Sequence, residues 1–221
     1  MFNELLTNPR NFFTTISQNE PSLKKPALIV LAMAVIGSIS GYMMGELSGK
    51  MLSGLMEGIE TITAISAAGS TFIGSCIMWL IAAIILFALQ KVLQGTGTFK
   101  RVMEISGYGM IPLVIATIIS VIIGAYYIPQ AEITPIRTTD PQEISMAAMS
   151  LLEDPALHQY TIISTIISII FLIWVANLWS IGVESCCGLS AKKALIVGGL
   201  PVVIYIAYTL SSLLLFTGGA A

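Results

Sequence analysis

Charge is scarce in this chain. Only 10% of its 221 residues are charged, against about a quarter in ordinary soluble domains, while 56% are hydrophobic and the mean hydropathy is +0.89. That balance excludes a soluble globular domain and predicts an all-α, polytopic membrane protein. The net charge of −2 offers no basic excess for nucleic acid. Three cysteines, Cys76, Cys186 and Cys187, are too few for a disulfide framework. Cys186 and Cys187 are adjacent, so a tetrahedral metal site would need two further ligands that the sequence does not place. They read as ordinary thiols at a helix end, with acylation as the alternative. The single histidine, His158, has no cysteine or second histidine nearby and reads as an interfacial residue. Nucleophile elbow, HExxH and phosphate-loop motifs are missing. No Asp, Glu, Lys, Arg or His falls near the middle of a hydrophobic run, which argues against a proton-coupled pump but leaves an uncharged pore open. The expectation is a protein with no catalytic residues, no cofactor and no metal.

What the chain has in abundance is long apolar runs. Five spans are predicted at about 26–45, 70–93, 107–128, 160–181 and 194–216, each long enough to cross a bilayer. Residues 26–217 therefore read as one five-helix membrane domain. The 1–25 segment is a lead-in that shows no cleavable signal, because MFNELLTNPR has no basic stretch followed by a continuous apolar core. In it, Asn8 and Pro9 read as an N-cap and first helical residue, after which Phe12, Phe13 and Ile16 share a helix face. This amphipathic piece either lies among lipid headgroups, with Arg10 in water, or packs on the protein's own loops.

Glycines punctuate the first span. Gly37, Gly41, Gly45 and Gly49 recur every four residues and so align on one face, which permits close backbone approach within the bundle or between protomers. Leu52, Leu55, Met56, Ile59 and Ile62 keep helical spacing with Glu57 and Glu60 off that face, predicting a separate amphipathic helix between spans one and two. Trp79 lies midway along the second span, away from either interface, and is expected to pack inside the bundle. Between spans two and three, Gly95 and Gly97 end a helix, Thr98 is a candidate N-cap, and Lys100, Arg101 and Glu104 fill the next turns. Gly107, Tyr108 and Gly109 then precede Pro112, where a kink is expected. Pro201 stands early in the fifth span, after Lys192 and Lys193, so the two short basic loops look loosely alike. Tyr126 and Tyr127 end the third span where aromatic belts form. Residues 129–159 form an extracytoplasmic loop with a short helix announced by Asp140, Pro141, Gln142 and Glu143, its apolar side being Ile144, Ala148, Leu151 and Leu152. Asp154 and Pro155 start the next helix. In the fourth span Thr161, Ser164, Thr165, Ser168 and Asn177 supply polar groups for interhelical hydrogen bonds or for a solute path.

Placement of the cations predicts orientation. Arg10, Lys24, Lys25, Lys91, Lys100, Arg101, Lys192 and Lys193 fall on one side of the five spans, and only Lys50 and Arg137 on the other. The positive-inside rule then puts the N-terminus in the cytoplasm and the C-terminus outside.

Three segments carry a resemblance: the lead-in NPRNFFTTISQNEPSLKKPALIV, the central GTGTFKRVMEISGYGMIPLVI, and the closing pattern from Trp179 through GVESCCGLSAKKALIVGGLP. In order and spacing they resemble the Yip family, five-span membrane proteins whose eukaryotic members are named for interaction with Rab-type GTPases. The resemblance implies a non-enzymatic role in membrane organisation or trafficking, acting through lipids and partner proteins. Eukaryotic members generally carry a longer N-terminal region with an Asp-Leu-Tyr-Gly-Pro motif. That motif does not occur here, so the resemblance points to a prokaryotic type in the cell membrane rather than to GTPase binding.

The leading expectation is a scaffold or membrane-shaping protein. Its candidate lipid or partner contacts are Arg10, Phe12, Phe13, Lys100, Arg101, Lys192 and Lys193. Its candidate packing and kink positions are Gly37, Gly41, Gly45, Gly107, Tyr108, Pro112 and Pro201. A channel for a small solute and an accessory subunit of another membrane complex are the alternatives. Membrane lipids are the expected partners, with a protein at the basic loops and a homo-oligomer as further possibilities and no nucleic acid.

Overall fold

The computed structural model describes residues 2–137, 140, 142, 144–146, 149, 151 and 154–218, the side chains of Phe2 and 214–218 excepted. It is helical, with no strand among the described residues. Two short helices, α1 (Phe2–Thr7) and α2 (Pro9–Ser17), precede α3 (Lys24–Leu52), α4 (Ile59–Val92), α5 (Phe99–Gly109), α6 (Ile111–Tyr127), a 3-10 turn (Ile128–Gln130), α7 (Pro155–Cys187) and α8 (Ala191–Gly218). Among the described residues, α3, α4, the α5–α6 pair, α7 and α8 are long and apolar enough to cross a membrane. The all-α, five-span architecture read from the sequence is the one observed.

Caps start the helices where polar residues allow it. The Asn8 side chain accepts the Asn11 N–H at 3.2 Å, Thr98 accepts that of Arg101 at 3.3 Å, and one Asp154 oxygen accepts those of Ala156 and Leu157 at 2.9 and 3.0 Å. The third span does not run straight through Pro112. It breaks at Met110, whose N–H turns back to the Gly107 carbonyl at 3.2 Å, and α6 restarts with Pro112 in its first turn, where a missing N–H costs nothing. Pro201 behaves differently: α8 continues through it.

The separate amphipathic helix expected over residues 52–62 is not formed. Residues 53–58 make a turn, and Gly58, at φ 76°, reverses the chain directly into α4. A left-handed residue ends any helical continuation, and the apolar spacing of Ile59 and Ile62 belongs to the first turns of α4. In the loop that follows the third span, Asp140 caps as expected, accepting the Gln142 N–H at 2.9 Å on its side chain and the Ile144 N–H at 3.0 Å on its carbonyl. Pro141, Glu143, Ala148 and Leu152 of that expected helix lie outside the described residues.

α3 packs most extensively on α4, through its glycine face. A Cβ on Gly45 would lie 2.5 Å from the Thr63 carbonyl oxygen, and one on Gly41 would lie 2.9 Å from that of Ala67 and against the Thr71 hydroxyl. Gly37 is less crowded, with Thr71 at 3.5 Å and Thr117 at 3.7 Å. The backbones approach too closely for any larger residue at Gly41 or Gly45. α3 also touches α6, α6 touches α7, α7 touches α8, and α5 lies among α3, α4 and α7.

The buried core is unevenly placed. Its main cluster, including Phe12, Phe13, Trp79, Leu86, Ile105, Tyr108, Trp179 and Val197, sits toward the end that carries α1, α2 and both short loops. A small cluster of Leu47, Ile128 and Leu157 closes the opposite end. Between them the outer surface presents exposed Ile65, Ile73, Ile122, Ile170 and Val203. Such a belt suits lipid rather than water.

Candidate functional site

α5 is the centre of the crowded end, which we call the basic end. From Arg101 to Gly109 every residue except Met103 is buried, although this stretch holds an arginine, a glutamate, a serine and a tyrosine. Each polar group except one is paired. Glu104 accepts from the Arg101 guanidinium at 2.6 Å and from the Ser22 N–H at 3.2 Å, and Arg101 also donates to the Asn19 carbonyl. Only 7% of Arg101 is exposed. A charge buried to this degree persists only with such partners. The pair therefore fastens the 19–22 connection to α5.

Two tryptophans meet on the next turn. Trp79 Nε1 donates to the Ser106 hydroxyl and to the Met103 carbonyl, both at 3.1 Å, and Trp179 Nε1 donates to the Ser106 carbonyl at 3.0 Å. Mid-span Trp79 thus packs inside, as expected. Gly107 and Gly109 allow this convergence. A Cβ on Gly107 would stand 2.6 Å from Pro26 and 3.0 Å from Trp79 Nε1, and one on Gly109 would collide with the Trp179 ring. They allow close approach to three neighbouring segments. From the sequence Trp179 was named only as the start of the closing pattern, and its bond to Ser106 was not foreseen. The pairing of a mid-span tryptophan with a Ser-Gly-Tyr-Gly run was the signal available.

The lead-in docks on this hub. Phe12 and Phe13 are 2% and 0% exposed, Phe12 meets the Tyr108 ring edge to face at 5.0 Å, and Phe13 fills the space left by Gly182. Arg10, itself exposed, clasps Glu184 of α7 with two hydrogen bonds of 3.1 and 2.9 Å, and the Cys186 thiol reaches the Phe13 carbonyl at 3.4 Å. Of the two readings of this segment, packing on the protein is the one observed. Phe12 and Phe13 are therefore corrected from candidate lipid contacts to core residues, and Arg101 from a surface cation to a buried strut. Their aromatic or cationic type suggested an interface, whereas the small Gly182 and the carboxylate of Glu104 provide an internal place for them.

The two short loops are bound to each other. Thr96 donates to the Cys187 carbonyl from its N–H at 2.9 Å and from its hydroxyl at 3.2 Å. Gln90, fully buried, donates to the Gly97 carbonyl at 3.0 Å while its side-chain oxygen has no partner. Lys193 donates to the Leu93 carbonyl at 3.1 Å, and Lys91 lies 5.5 Å from the centre of the Phe87 ring. Lys100 and Lys192 are exposed on the same end, beside exposed Val92, Phe99 and Leu195. In α7 the Ser164 hydroxyl is buried without a partner, so it does not form the interhelical bond expected of it, and Asn177 is exposed. Among the described residues no group of three or more His, Cys, Asp and Glu could hold a metal ion.

A cleft of about 260 Å³ opens between α1, α2, the start of α3 and the Glu104–Tyr108 face of α5. The hub thus joins the three sequence segments singled out above, and the family model of the Yip1 domain matches residues 3–213, which include all three. The chain belongs to the Yip1 domain family. An uncharacterised protein of the archaeon Methanocaldococcus jannaschii is 38% identical over 124 residues, which cover 56% of this chain and 87% of that relative. No solved structure matches. For this Yip1 domain the five apolar helices and the family together give an integral, multi-pass membrane protein.

Proposed function

We propose that the protein is a non-enzymatic membrane-organising scaffold whose basic end, facing the cytoplasm of a prokaryotic cell, binds anionic lipid headgroups or an acidic partner surface. The observation that carries this reading is the platform made by the two bound loops. It holds exposed Lys100 and Lys192, with Lys91, beside exposed Val92, Phe99 and Leu195 on one end of the bundle. Cations flanked by apolar side chains match the headgroup boundary, where phosphates lie just above acyl chains. Hydrogen bonds between the loops keep the lysines in fixed relation, so charge is presented as a surface rather than as independent tails.

The test is retention of phosphatidylglycerol by the purified protein, read by native mass spectrometry against a neutral lipid. Each lysine near an anionic surface contributes about 1 kcal/mol, so replacing both Lys100 and Lys192 by Ala should lower the preference by roughly tenfold or more. Both side chains are exposed, so the variant should stay monodisperse. Unchanged retention by a folded variant would remove the lipid half of this reading and leave only an acidic partner surface.

A further inference from the structure

We propose that the outward face of α7 is the interface of a symmetric dimer, in which a second copy of this chain packs parallel to the first and the two Asn177 side chains bond to each other. This goes beyond the scaffold reading, which uses the exposed lysines at the basic end, and does not depend on it.

Exposure along α7 follows a heptad. From Ile162 to Cys187 the exposed residues are Ile166, Ile170, Ile173 and Asn177, in steps of four, three and four. The isoleucines are 54%, 59% and 60% exposed. In an α-helix these positions form one narrow stripe, and the steps are those of the a and d positions in a seam between two helices. α2, α5, α6 and α8 pack on the other faces of α7 and leave this stripe uncovered.

Asn177 is the polar member of the stripe. Its carboxamide makes no hydrogen bond to any described residue. It stands about 10 Å along the helix from Glu184, within the uncharged stretch 159–183. Acyl chains offer neither donor nor acceptor, so an amide facing them keeps its hydrogen-bonding groups unmet, at a cost that a neighbouring helix can remove. Hydroxyls in the other spans solve this locally: Thr71, Ser75 and Thr117 each bond to the carbonyl four residues back, at 2.9, 2.8 and 2.7 Å. Asn177 makes no such bond. A single Asn among isoleucines at a and d positions is the arrangement that fixes register and the number of helices in a coiled coil.

Depth and symmetry select a second copy as the occupant. Every copy of the chain inserts in the same direction, so a second Asn177 stands at the same depth in the bilayer. A carboxamide both donates and accepts, and two of them across a two-fold axis along the membrane normal satisfy each other. A different protein would have to present a polar group at that depth independently. Seven residues beyond Asn177 the stripe reaches Glu184, where two acids would approach each other. Arg10 already meets that charge with bonds of 3.1 and 2.9 Å, so the seam closes at the basic end without like-charge repulsion.

The experiment uses the full chain. Sedimentation equilibrium in a density-matched detergent should show a monomer–dimer equilibrium that shifts with the protein-to-detergent ratio. Asn177→Leu keeps the seam apolar and removes the amide, and should raise the dissociation constant about tenfold, the worth of an interhelical hydrogen bond in a membrane. Asn177→Gln keeps the amide and should stay close to the parent chain. The side chain is exposed, so both variants should fold, with tryptophan emission as the check. In native membranes, Ile173→Cys should give an oxidant-induced disulfide dimer, whereas Ile122→Cys, at a position 65% exposed on α6, should not exceed the parent chain with its own three cysteines. A monomer at every ratio, a dimer that Asn177→Leu leaves unchanged, or equal cross-linking through Ile122→Cys would overturn the proposal. So would cross-linking of Ile173→Cys to a different polypeptide in place of a second copy.

Discussion

At the scale of single residues, two neighbours illustrate how burial separates like from like. Lys100 and Arg101 are adjacent cations in a loop-to-helix turn, yet Lys100 is exposed while Arg101 is enclosed with Glu104 and the Asn19 carbonyl. Exposed charges of this kind contribute little to stability, so Lys100→Met should change unfolding free energy by less than about 0.5 kcal/mol. Arg101→Met leaves the Glu104 carboxylate buried with only the Ser22 N–H, and removal of one partner from a buried pair costs about 3–5 kcal/mol. The double change Arg101→Met with Glu104→Leu should recover much of that loss, because no unpaired charge is left inside. Denaturant unfolding of the three variants in detergent, followed by tryptophan fluorescence, makes the comparison. Trp79 and Trp179 both bond to Ser106 and report on this hub. Equal stability of the Arg101 and Lys100 variants would contradict the strut assignment.

At the scale of elements, the question is what holds α2 on the bundle. Arg10 forms a bidentate pair with Glu184, but the arginine is largely exposed and such pairs are worth at most about 1 kcal/mol. Phe13 is fully buried between Ile105 and Gly182, and truncating a buried phenylalanine costs about 3–5 kcal/mol. Arg10→Ala should therefore leave the lead-in docked, whereas Phe13→Ala should raise hydrogen exchange across residues 9–22 while the spans stay protected. Much of this element plan was legible in the sequence. Helix starts at Pro9, Phe99 and Pro155 follow from Asn8, Thr98 and Asp154, since capping is local chemistry, and the break near Pro112 follows from a missing N–H. The glycine face of α3 was legible as a face, though its partner, α4, was not. What stayed hidden depends on tertiary choice. An amphipathic aromatic segment has the same pattern whether its apolar side meets lipid or protein, and only the space at Gly182 decides for Phe13. The apolar spacing after Leu52 is likewise the same for a surface helix and for the first turns of a span, and a left-handed Gly58 selects the second.

At the scale of the whole molecule, the bundle gathers its cations on one end. The contacts Arg10–Glu184, Arg101–Asn19 and Thr96–Cys187 show that the lead-in and both short loops share that end, so the eight cations counted along the chain stand on one face of the folded protein. At the opposite end, Lys50 is paired with Glu46 at 2.9 Å. Several of the eight are no longer free in the folded state, notably Arg101, but the positive-inside bias acts on loops during insertion, before those partners are met. The full count of eight against two therefore sets the expected orientation, and burial in the finished fold does not weaken it. The prediction is that Lys192→Cys reacts with a membrane-impermeant maleimide only after cells are permeabilised, while Gln130→Cys, exposed at the far end of the third span, reacts in intact cells. Labelling of the parent chain, with its own three cysteines, sets the blank. The reverse pattern would put the lysine platform outside the cell, where neither a cytoplasmic partner nor the inner leaflet could reach it.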